Sequence, residues 1–278
     1  MIGTLADAAA QDTAARSLAH WSEAGRAEME AFYALASEDY RQLVLAADWP
    51  TLLRAQVRPG WRVLDVACGS GKFPAALQRG GLGAAGLPEL PVDLLDPSAF
   101  SVAEAATQLH LPLVSGRELV VTLQDLEPAL GPWDVVWATH ALYALPPPEL
   151  SAAAARLLAA LRPGGLGVVA QATSTSHYLA FYDAFRAGIR DATPFTSAEQ
   201  VRDALRQAGA QVREQRIRYT TGTTDRAVAE GFLQRCAFDD TVSLEQMEAA
   251  PILGDYLAQC RTDGGGWRFE HEVALLWL

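Results

Sequence analysis

The chain has 278 residues, of which 50% are hydrophobic, and it carries a formal net charge of -11 with a pI near 4.9. This length and apolar content suffice to bury the core of one large α/β domain or of two small domains. A surface that binds nucleic acid needs clustered Lys and Arg, but 22 such residues stand against 33 Asp and Glu. The charge therefore argues against nucleic acid as a partner.

The three cysteines, Cys68, Cys236 and Cys260, are far apart and form no C-x-x-C pair. This spacing favours neither a disulfide framework nor a zinc site. The N-terminal residues lack a basic start, and no stretch approaches the roughly 20 apolar residues that a membrane helix needs. We therefore expect a soluble, cytoplasmic protein with no membrane partner and no bound metal.

The order of the elements predicts a helical cap followed by an α/β domain. Residues 1–57 have apolar positions at helical spacing, and the Pro59-Gly60 turn signal opens the second region, residues 58–278. Helical patterns at 149–161 and 197–209 separate apolar runs, and Thr196 or Ser197 is the expected N-cap of the latter helix. Further helix within residues 222–266 predicts a lid inserted before the last strand.

Seven short apolar runs follow the cap, and most of them are hydrophobic on both faces. Runs of this kind that alternate with helices predict a mostly parallel sheet with helices on both sides. The predicted strands are residues 61–67, 91–96, 118–124, 133–139, 166–172, 211–221 and 269–278.

The first of these runs continues into a glycine turn, since residues 63–71 read VLDVACGSG. A strand, a tight turn and a helix start are how α/β proteins hold a nucleotide, and a plain turn without a ligand is the alternative. A NAD fingerprint needs a third glycine, whereas Lys72-Phe73-Pro74 follows here. The missing glycine disfavours a NAD-linked oxidoreductase.

The stretch VLDVACGSG resembles the first motif of class I S-adenosylmethionine-dependent methyltransferases. Later segments follow in that family's order: LLDPS after the second run, QDL after the third, WDVVWATHALYAL along the fourth and LRPGG before the fifth. The resemblance covers about residues 60–221, and the ordered set is more specific than any member of it. It implies a Rossmann-like, seven-stranded doubly wound sheet with an antiparallel last strand, and S-adenosylmethionine as the cofactor.

The resemblance also implies which residues contact that cofactor. Asp96 is expected to bind the ribose hydroxyls and Asp125 to lie near the adenine amino group, while Asp65 orients the turn or meets the methionine amino group. The long interval between Gly71 and Asp96 leaves Asp93 as an alternative ribose ligand. Neighbouring positions of the same motifs complete the expected set: Ala67, Gly69, Gly71, Pro97, Ser98, Leu126 and Thr139.

Methyl transfer requires an aligned nucleophile more than a strong catalytic residue, because the sulfonium already makes the methyl carbon electrophilic. Among the five histidines, His140 lies just beyond the fourth strand, at the edge where open α/β sheets bind ligands. It is therefore the best-placed histidine to hold or deprotonate an acceptor. The alternative is that His140 is a structural histidine, hydrogen-bonded in a strand-helix turn.

Other segments resemble histamine N-methyltransferase-like small-molecule enzymes, among them HALYAL, QATSTS and the aromatic helix that follows. In that group the N-terminal helices, the segment after the fourth strand and the last strand hold the acceptor, which implies Glu38, His140 and His271 here. The aromatic stripe at Tyr178, Phe181, Tyr182 and Phe185 is interpreted as core rather than as a substrate box.

These observations predict methyl transfer from S-adenosylmethionine to nitrogen or oxygen of a small-molecule acceptor. The alternatives are a non-catalytic protein of the same fold that binds S-adenosylmethionine and, less favoured, the NAD-linked oxidoreductase. The acceptor's identity and the oligomeric state stay open.

Overall fold

The computed structural model describes residues 13, 15–23 and 26–278. Residues 15–20 are helical, and α1 (Arg26–Leu45) and α2 (Trp49–Gln56) precede the first strand. The predicted helical N-terminal segment is confirmed over these residues. Its remaining part, at residues 1–12, 14, 24 and 25, lies outside the described residues.

Seven strands form one sheet within the described part of the chain. Their bounds are β1 (Val63–Val66), β2 (Leu90–Leu95), β3 (Leu113–Leu119), β4 (Trp133–Thr139), β5 (Leu161–Ala172), β6 (Arg213–Thr223) and β7 (Trp267–Trp277). The strand order is β3-β2-β1-β4-β5-β7-β6, and β7 runs antiparallel to both of its neighbours while the other pairs are parallel. The predicted doubly wound sheet with an antiparallel last strand is confirmed.

Helices cover both faces of this sheet. After α2 they are α3 (Lys72–Arg79), α4 (Ala99–Thr107), α5 (Leu150–Ala160), α6 (His177–Gly188), α7 (Ala198–Gln207), α8 (Arg226–Ala237), α9 (Leu244–Ala249) and α10 (Pro251–Gln259). Side chains of α2, α3 and α4 share one buried cluster with the sheet, and those of α5 and α7 share a second. No helix in the described ranges is long and apolar enough to cross a membrane.

A third buried cluster joins α1 with the helices inserted between β6 and β7. Phe32 of α1 stacks on Phe232 of α8 with ring centroids 5.7 Å apart. A Cβ on Gly231 would lie 2.7 Å from the Cβ of Ala31, so glycine is what allows the two helices to approach this closely. The N-terminal helix and the insertion therefore form one helical layer beside the sheet.

The start of α7 follows the predicted pattern. The Ser197 hydroxyl accepts a hydrogen bond from the Gln200 backbone N–H, and the Gln200 side chain accepts one from the Ser197 N–H. This capping box satisfies two N–H groups that the first turn would otherwise leave unpaired. Ser197, one of the two predicted candidates, is the N-cap.

The prediction for the third strand is wrong in position, because β3 spans Leu113–Leu119 rather than residues 118–124. Gly116 lies within the strand, and a glycine at such a position argues against a strand when only the sequence is considered. A Cβ there would lie 2.4 Å from Oδ1 of the buried Asp93, so the strand needs glycine at that point. Arg117, next in the strand, donates to Asp93 at 2.8 Å, so a charged side chain lies within the strand.

Candidate active site

A cavity of about 1180 Å³ lies at the carboxyl edge of the sheet. Parallel strands of an open α/β sheet end at this edge, and their loops form the usual ligand crevice. We call one part the glycine side; it is lined by Ala67, Gly69, Asp96 and Gln124. We call the other part the tyrosine side; it is lined by Asp39, Tyr40, His140, Tyr143 and Tyr178.

The two glycines of the turn serve different purposes. Both have left-handed backbone, with φ of +50° at Gly69 and +71° at Gly71. A Cβ on Gly71 would lie 2.9 Å from the Cα of Ala105 in α4, so this glycine allows the turn to pack against a helix. A Cβ on Gly69 would meet nothing within 4 Å, and Gly69 itself lines the cavity. Ala67, which also lines the cavity, adopts a φ of +51° as well.

Asp96 directly follows β2 and links two turns of the glycine side. Its Oδ2 accepts the Gly69 backbone N–H at 3.1 Å, and its Oδ1 accepts the Ser98 N–H at 2.8 Å. Burial raises the pKa of this carboxyl. A carboxylate has about four lone-pair positions, so it can still accept hydrogen bonds from a diol. Pro97 lines the cavity, whereas Ser98 serves as the N-cap of α4 and is buried beside it.

Asp93, the alternative to Asp96 as the ribose ligand, uses its carboxylate in hydrogen bonds to other side chains. It accepts hydrogen bonds from the guanidinium groups of Arg62 and Arg117, and from the Trp133 indole at 2.7 Å. It is not among the described residues that line the cavity. The register of β2 therefore brings Asp96, not Asp93, to the glycine side.

Asp65 lies in β1 at the base of the glycine turn and is 2% exposed. Its Oδ2 is buried and has no hydrogen-bond partner among the residues described. Burial, with a smaller contribution from the nearby Asp96 charge, raises the pKa of Asp65 to about 7, although the Trp137 side chain opposes the increase. Asp65 is not among the described residues that line the cavity, so it lies behind the glycine turn rather than in the cavity wall.

The structure does not bring Asp125 to the cavity. Asp125 is exposed, its carboxylate accepts the Thr122 hydroxyl at 2.7 Å, and Leu126 is buried in the core beside it. Leu123 and Gln124 line the glycine side instead. Because β3 ends at Leu119, the chain bends earlier than the sequence pattern predicts and presents these residues to the cavity.

His140 follows Thr139, the last residue of β4, and both line the cavity. His140 has left-handed backbone, with φ +55°, and its N–H donates to the Ala170 carbonyl at 2.8 Å. Its Nδ1 lies 2.7 Å from the Tyr143 hydroxyl oxygen. Burial lowers the pKa of His140 to about 4, so the ring is neutral at neutral pH.

The hydrogen bonds of Tyr143 identify the tautomer of that neutral ring. The Tyr143 oxygen already accepts the Ala172 backbone N–H at 3.2 Å, and His140 Nδ1 is the acceptor within reach of its proton in the described structure. Tyr143 therefore donates to Nδ1, which leaves the proton of the ring on Nε2. Nε2 is buried and has no partner among the described residues. His140 thus offers a hydrogen-bond donor rather than a base.

Asp39 of α1 is the carboxylate of the tyrosine side. It is buried, and the hydroxyls of Tyr178 and Tyr219 both donate to it, that of Tyr219 at 2.8 Å. Burial raises the pKa of Asp39 to about 7, although both tyrosine hydrogen bonds oppose the increase. The predicted Glu38 is paired with Arg41 at 2.5 Å instead, and it is outside the described lining of the cavity.

His271 of β7 lies behind the cavity wall. Its Nε2 is 2.9 Å from the Thr221 hydroxyl, and its ring stacks on Tyr219 with centroids 4.9 Å apart. The Tyr178 ring, whose centroid is 5.0 Å away, lines the cavity, whereas His271 is not among the described residues that line it. Burial, with a smaller contribution from His140, lowers the pKa of His271 to about 3. The structure therefore brings His140 to the cavity and places His271 as a support for Tyr178 and Tyr219.

Four residues of the tyrosine side were not predicted as ligand contacts: Asp39, Tyr40, Tyr143 and Tyr178. The sequence held a signal for the burial of Asp39, because Leu35, Ala36 and Leu43 lie on the same helical face and are buried. Tyr178 belongs to the aromatic stripe that was interpreted as core. Phe181, Tyr182 and Phe185 of that stripe are indeed in the third buried cluster, whereas Tyr178 also lines the cavity.

The sheet order, the antiparallel β7 and the cavity beside the glycine turn define a Rossmann-like methyltransferase fold. Residues 63–165, from β1 into β5, match a family model described as a methyltransferase domain. A search of curated protein sequences gave no match.

Solved structures share the fold. Magnesium protoporphyrin IX methyltransferase of Synechocystis PCC 6803, solved with bound SAH (S-adenosylhomocysteine), superposes with a TM-score of 0.53 at 14% identity, over 92% of this chain and 95% of that one. A Bacillus halodurans C-125 protein provisionally assigned as a methyltransferase gives 0.53 at 14% identity, over 83% of this chain and 98% of that one. With the family match, these comparisons show that the chain has the fold of a methyltransferase domain.

Proposed function

We propose that this chain transfers a methyl group from S-adenosylmethionine to nitrogen or oxygen of a small-molecule acceptor. The observation that carries the proposal is the continuity of the cavity. The same cavity joins the glycine side, where the methyltransferase motifs lie, to an aromatic side that holds an unpartnered histidine donor. A cofactor on the first side would direct its reactive group towards an acceptor on the second.

The residues of the glycine side suit S-adenosylmethionine, which when bound supplies an electrophilic methyl carbon. Asp96 would accept the ribose hydroxyls with its remaining lone pairs, and Gly69 leaves open space for the ligand. Gln124, whose side chain donates to Glu149 at 2.7 Å, lines the cavity and would contact the adenine. The Asp65 carboxylate, behind the glycine turn, would add negative potential that favours the ammonium and sulfonium charges.

The tyrosine side would align and orient the acceptor. Its walls are aromatic and its histidine is neutral, which suits a small organic molecule rather than a phosphate backbone. The cytoplasmic location and the division into a 1–57 cap, a 58–278 domain and a 222–266 lid stay predictions from the sequence.

The test is calorimetric titration with S-adenosylmethionine and SAH, followed by transfer from methyl-labelled cofactor to candidate acceptors. Asp96→Ala should weaken SAH binding at least about 10-fold, because hydrogen bonds to charged groups contribute about 1.5–3 kcal/mol. The matched control is Asp263→Ala, which removes an exposed carboxylate outside the cavity lining. Absence of SAH binding by the wild type would contradict the proposal. Binding without transfer to any acceptor would support the non-catalytic alternative.

A further inference from the structure

We propose that the acceptor is a planar compound with a weakly acidic hydroxyl, a phenol or an enol, whose oxygen is bound by Tyr178 and His140 and receives the methyl group. The proposal rests on the proposed function and names its substrate class. It follows from the hydrogen-bond donors and acceptors of the tyrosine side. Some of them already bind other protein groups, and the rest remain for a ligand.

Tyr178 and His140 offer opposite halves of a hydrogen bond. The Tyr178 hydroxyl donates its proton to Asp39, so its lone pairs remain to accept a hydrogen bond from a ligand. His140 Nε2 carries a proton and has no partner among the described residues. The two rings are neighbours, with centroids 6.3 Å apart. Both side chains line the same cavity, so a ligand oxygen bound between them would meet one acceptor and one donor.

A hydroxyl group satisfies both positions. Its proton can be donated to Tyr178, one lone pair can accept the His140 Nε2 proton, and a second lone pair is left to attack the methyl carbon. A neutral amine has a single lone pair, which must attack, so the buried His140 donor would stay unpaired, which is unfavourable. A carboxylate has no proton to donate, and its charge would be repelled by Asp39.

The walls favour a planar aromatic or conjugated skeleton. The Tyr40 ring meets the His140 ring edge-on at 5.7 Å, and the Tyr143 ring lies parallel to it at 6.0 Å. Phe195, 5.8 Å from Tyr143, extends this aromatic lining. Aromatic rings pack well against such walls in stacked or edge-to-face arrangements.

The proton balance also favours a weakly acidic hydroxyl. The acceptor O–H bond breaks as the O–CH₃ bond forms, while the C–S bond breaks with its electron pair passing to sulfur, which becomes neutral. The acceptor proton moves to the Tyr178 oxygen, and the Tyr178 proton moves to Asp39. A phenol with a pKa of about 10 is within reach of a base near neutrality, whereas an ordinary alcohol is not.

Asp39 is thus a positioning residue that acts through Tyr178, and its surroundings decide when it is ionised. Burial raises its pKa to about 7, the two tyrosine hydrogen bonds lower it, and the Glu38 charge raises it. The titratable groups near this carboxylate are Glu38 and Tyr40 on α1, Tyr143 after β4, Tyr178 on α6, Tyr219 on β6, Cys236 on α8 and His271 on β7.

Three probes of one shape test the substrate class: 2-naphthol, 2-naphthylamine and 2-naphthoate, each supplied with methyl-labelled S-adenosylmethionine. We expect label in the naphthol product and at least about 100-fold less in the amine or ester product, the size of a general-base contribution. Preferential labelling of the amine or the carboxylate overturns the proposal. So does the absence of label in naphthol and in a wider panel of phenols and enols when SAH binding is intact. Absence of SAH binding would instead refute the proposed function.

A matched pair of variants tests the geometry. Tyr178 and Tyr219 both donate to Asp39, but of these two only Tyr178 is among the described residues lining the cavity. Tyr178→Phe should lower kcat/KM for 2-naphthol about 100-fold, whereas Tyr219→Phe should lower it less than about 10-fold. Tyr219→Phe should also shift the activity profile to higher pH, because it removes a hydrogen bond that favours the ionised Asp39.

A pH profile separates proton transfer from a purely structural role. The kcat/KM of wild-type protein for 2-naphthol should rise with pH through about 7, as Asp39 ionises, and Asp39→Asn should lose this rise while still binding SAH. The same rise in wild type and Asp39→Asn, or an equal loss of activity in the two tyrosine variants, would overturn the proposal.

Discussion

The glycine side of the cavity is made mainly of backbone turns, whereas the tyrosine side is made of side chains from distant parts of the chain. On the glycine side, Ala67 and Gly69 follow β1 and Asp96 follows β2, and the Asp96 carboxylate accepts the main-chain N–H groups of Gly69 and Ser98. On the tyrosine side, Asp39 and Tyr178 are separated by 139 positions along the chain. A turn has a short sequence signature, but a side-chain network does not.

The largest effect is expected on the glycine side. Gly71→Ala places a Cβ 2.9 Å from the Ala105 Cα in addition to the left-handed strain, and should destabilise the fold by about 3 kcal/mol. Gly69→Ala is the matched control, because its Cβ meets nothing, and strain alone should cost about 1 kcal/mol. Urea unfolding measures both. Equal losses would show that close packing against α4 is not the reason for Gly71.

On the tyrosine side, His140→Ala should lower kcat about 100-fold and leave SAH affinity within about twofold, since the lost donor acts on the acceptor. Steady-state kinetics and calorimetry on the same preparation give both numbers. A parallel loss of kcat and SAH affinity would mean that His140 supports the glycine side instead.

Asp39→Asn should change how stability depends on pH. A pKa raised from 3.8 to about 7 means that protonation stabilises the fold, fully so below the unfolded pKa, and that this stability is lost as pH rises through about 7. The asparagine variant does not titrate there, so its stability relative to wild type should increase by about 2 kcal/mol between about pH 5.5 and about pH 8.5. Urea unfolding at both pH values measures the difference, and a constant difference would contradict a buried, titrating Asp39.

The smallest effects should come from two carboxylates that the sequence placed in the site. Glu38→Gln and Asp125→Asn should each leave turnover and SAH affinity within about twofold, because exposed polar contacts contribute little. Steady-state kinetics measures the turnover, and calorimetry measures the SAH affinity. A loss above about tenfold in either variant would show that the residue concerned belongs to the site after all.

The sequence predicted the fold and the position of the glycine side because both depend on local patterns. Runs of apolar residues showed most strands, and the Gly69 turn and Asp96 followed from motif order. The position of β3 was missed because Gly116 and Arg117 serve the buried Asp93, which no local pattern reveals. Glu38 was assigned from a short match to the histamine N-methyltransferase-like enzymes, and that match does not show which face of the helix a residue occupies.

The tyrosine side could not be predicted in detail for a related reason. His140 was identified from its place after β4, but its hydrogen-bonding role depends on Tyr143 and Ala172. His271 was expected to touch the acceptor, yet it is outside the described lining of the cavity and its ring contacts Tyr178 and Tyr219. Such roles depend on which polar side chains line the cavity, and the packing of the whole fold determines that.

The left-handed backbone of His140 limits which residues can replace it. Histidine, asparagine and aspartate adopt this conformation more readily than other side chains, and glycine adopts it freely, whereas β-branched residues are strongly disfavoured. A shift in acceptor preference at this point would therefore have to come from that small group. Asparagine would keep a short donor, aspartate would reverse the polarity, and glycine would enlarge the cavity, so the backbone restricts the evolutionary routes open to the site.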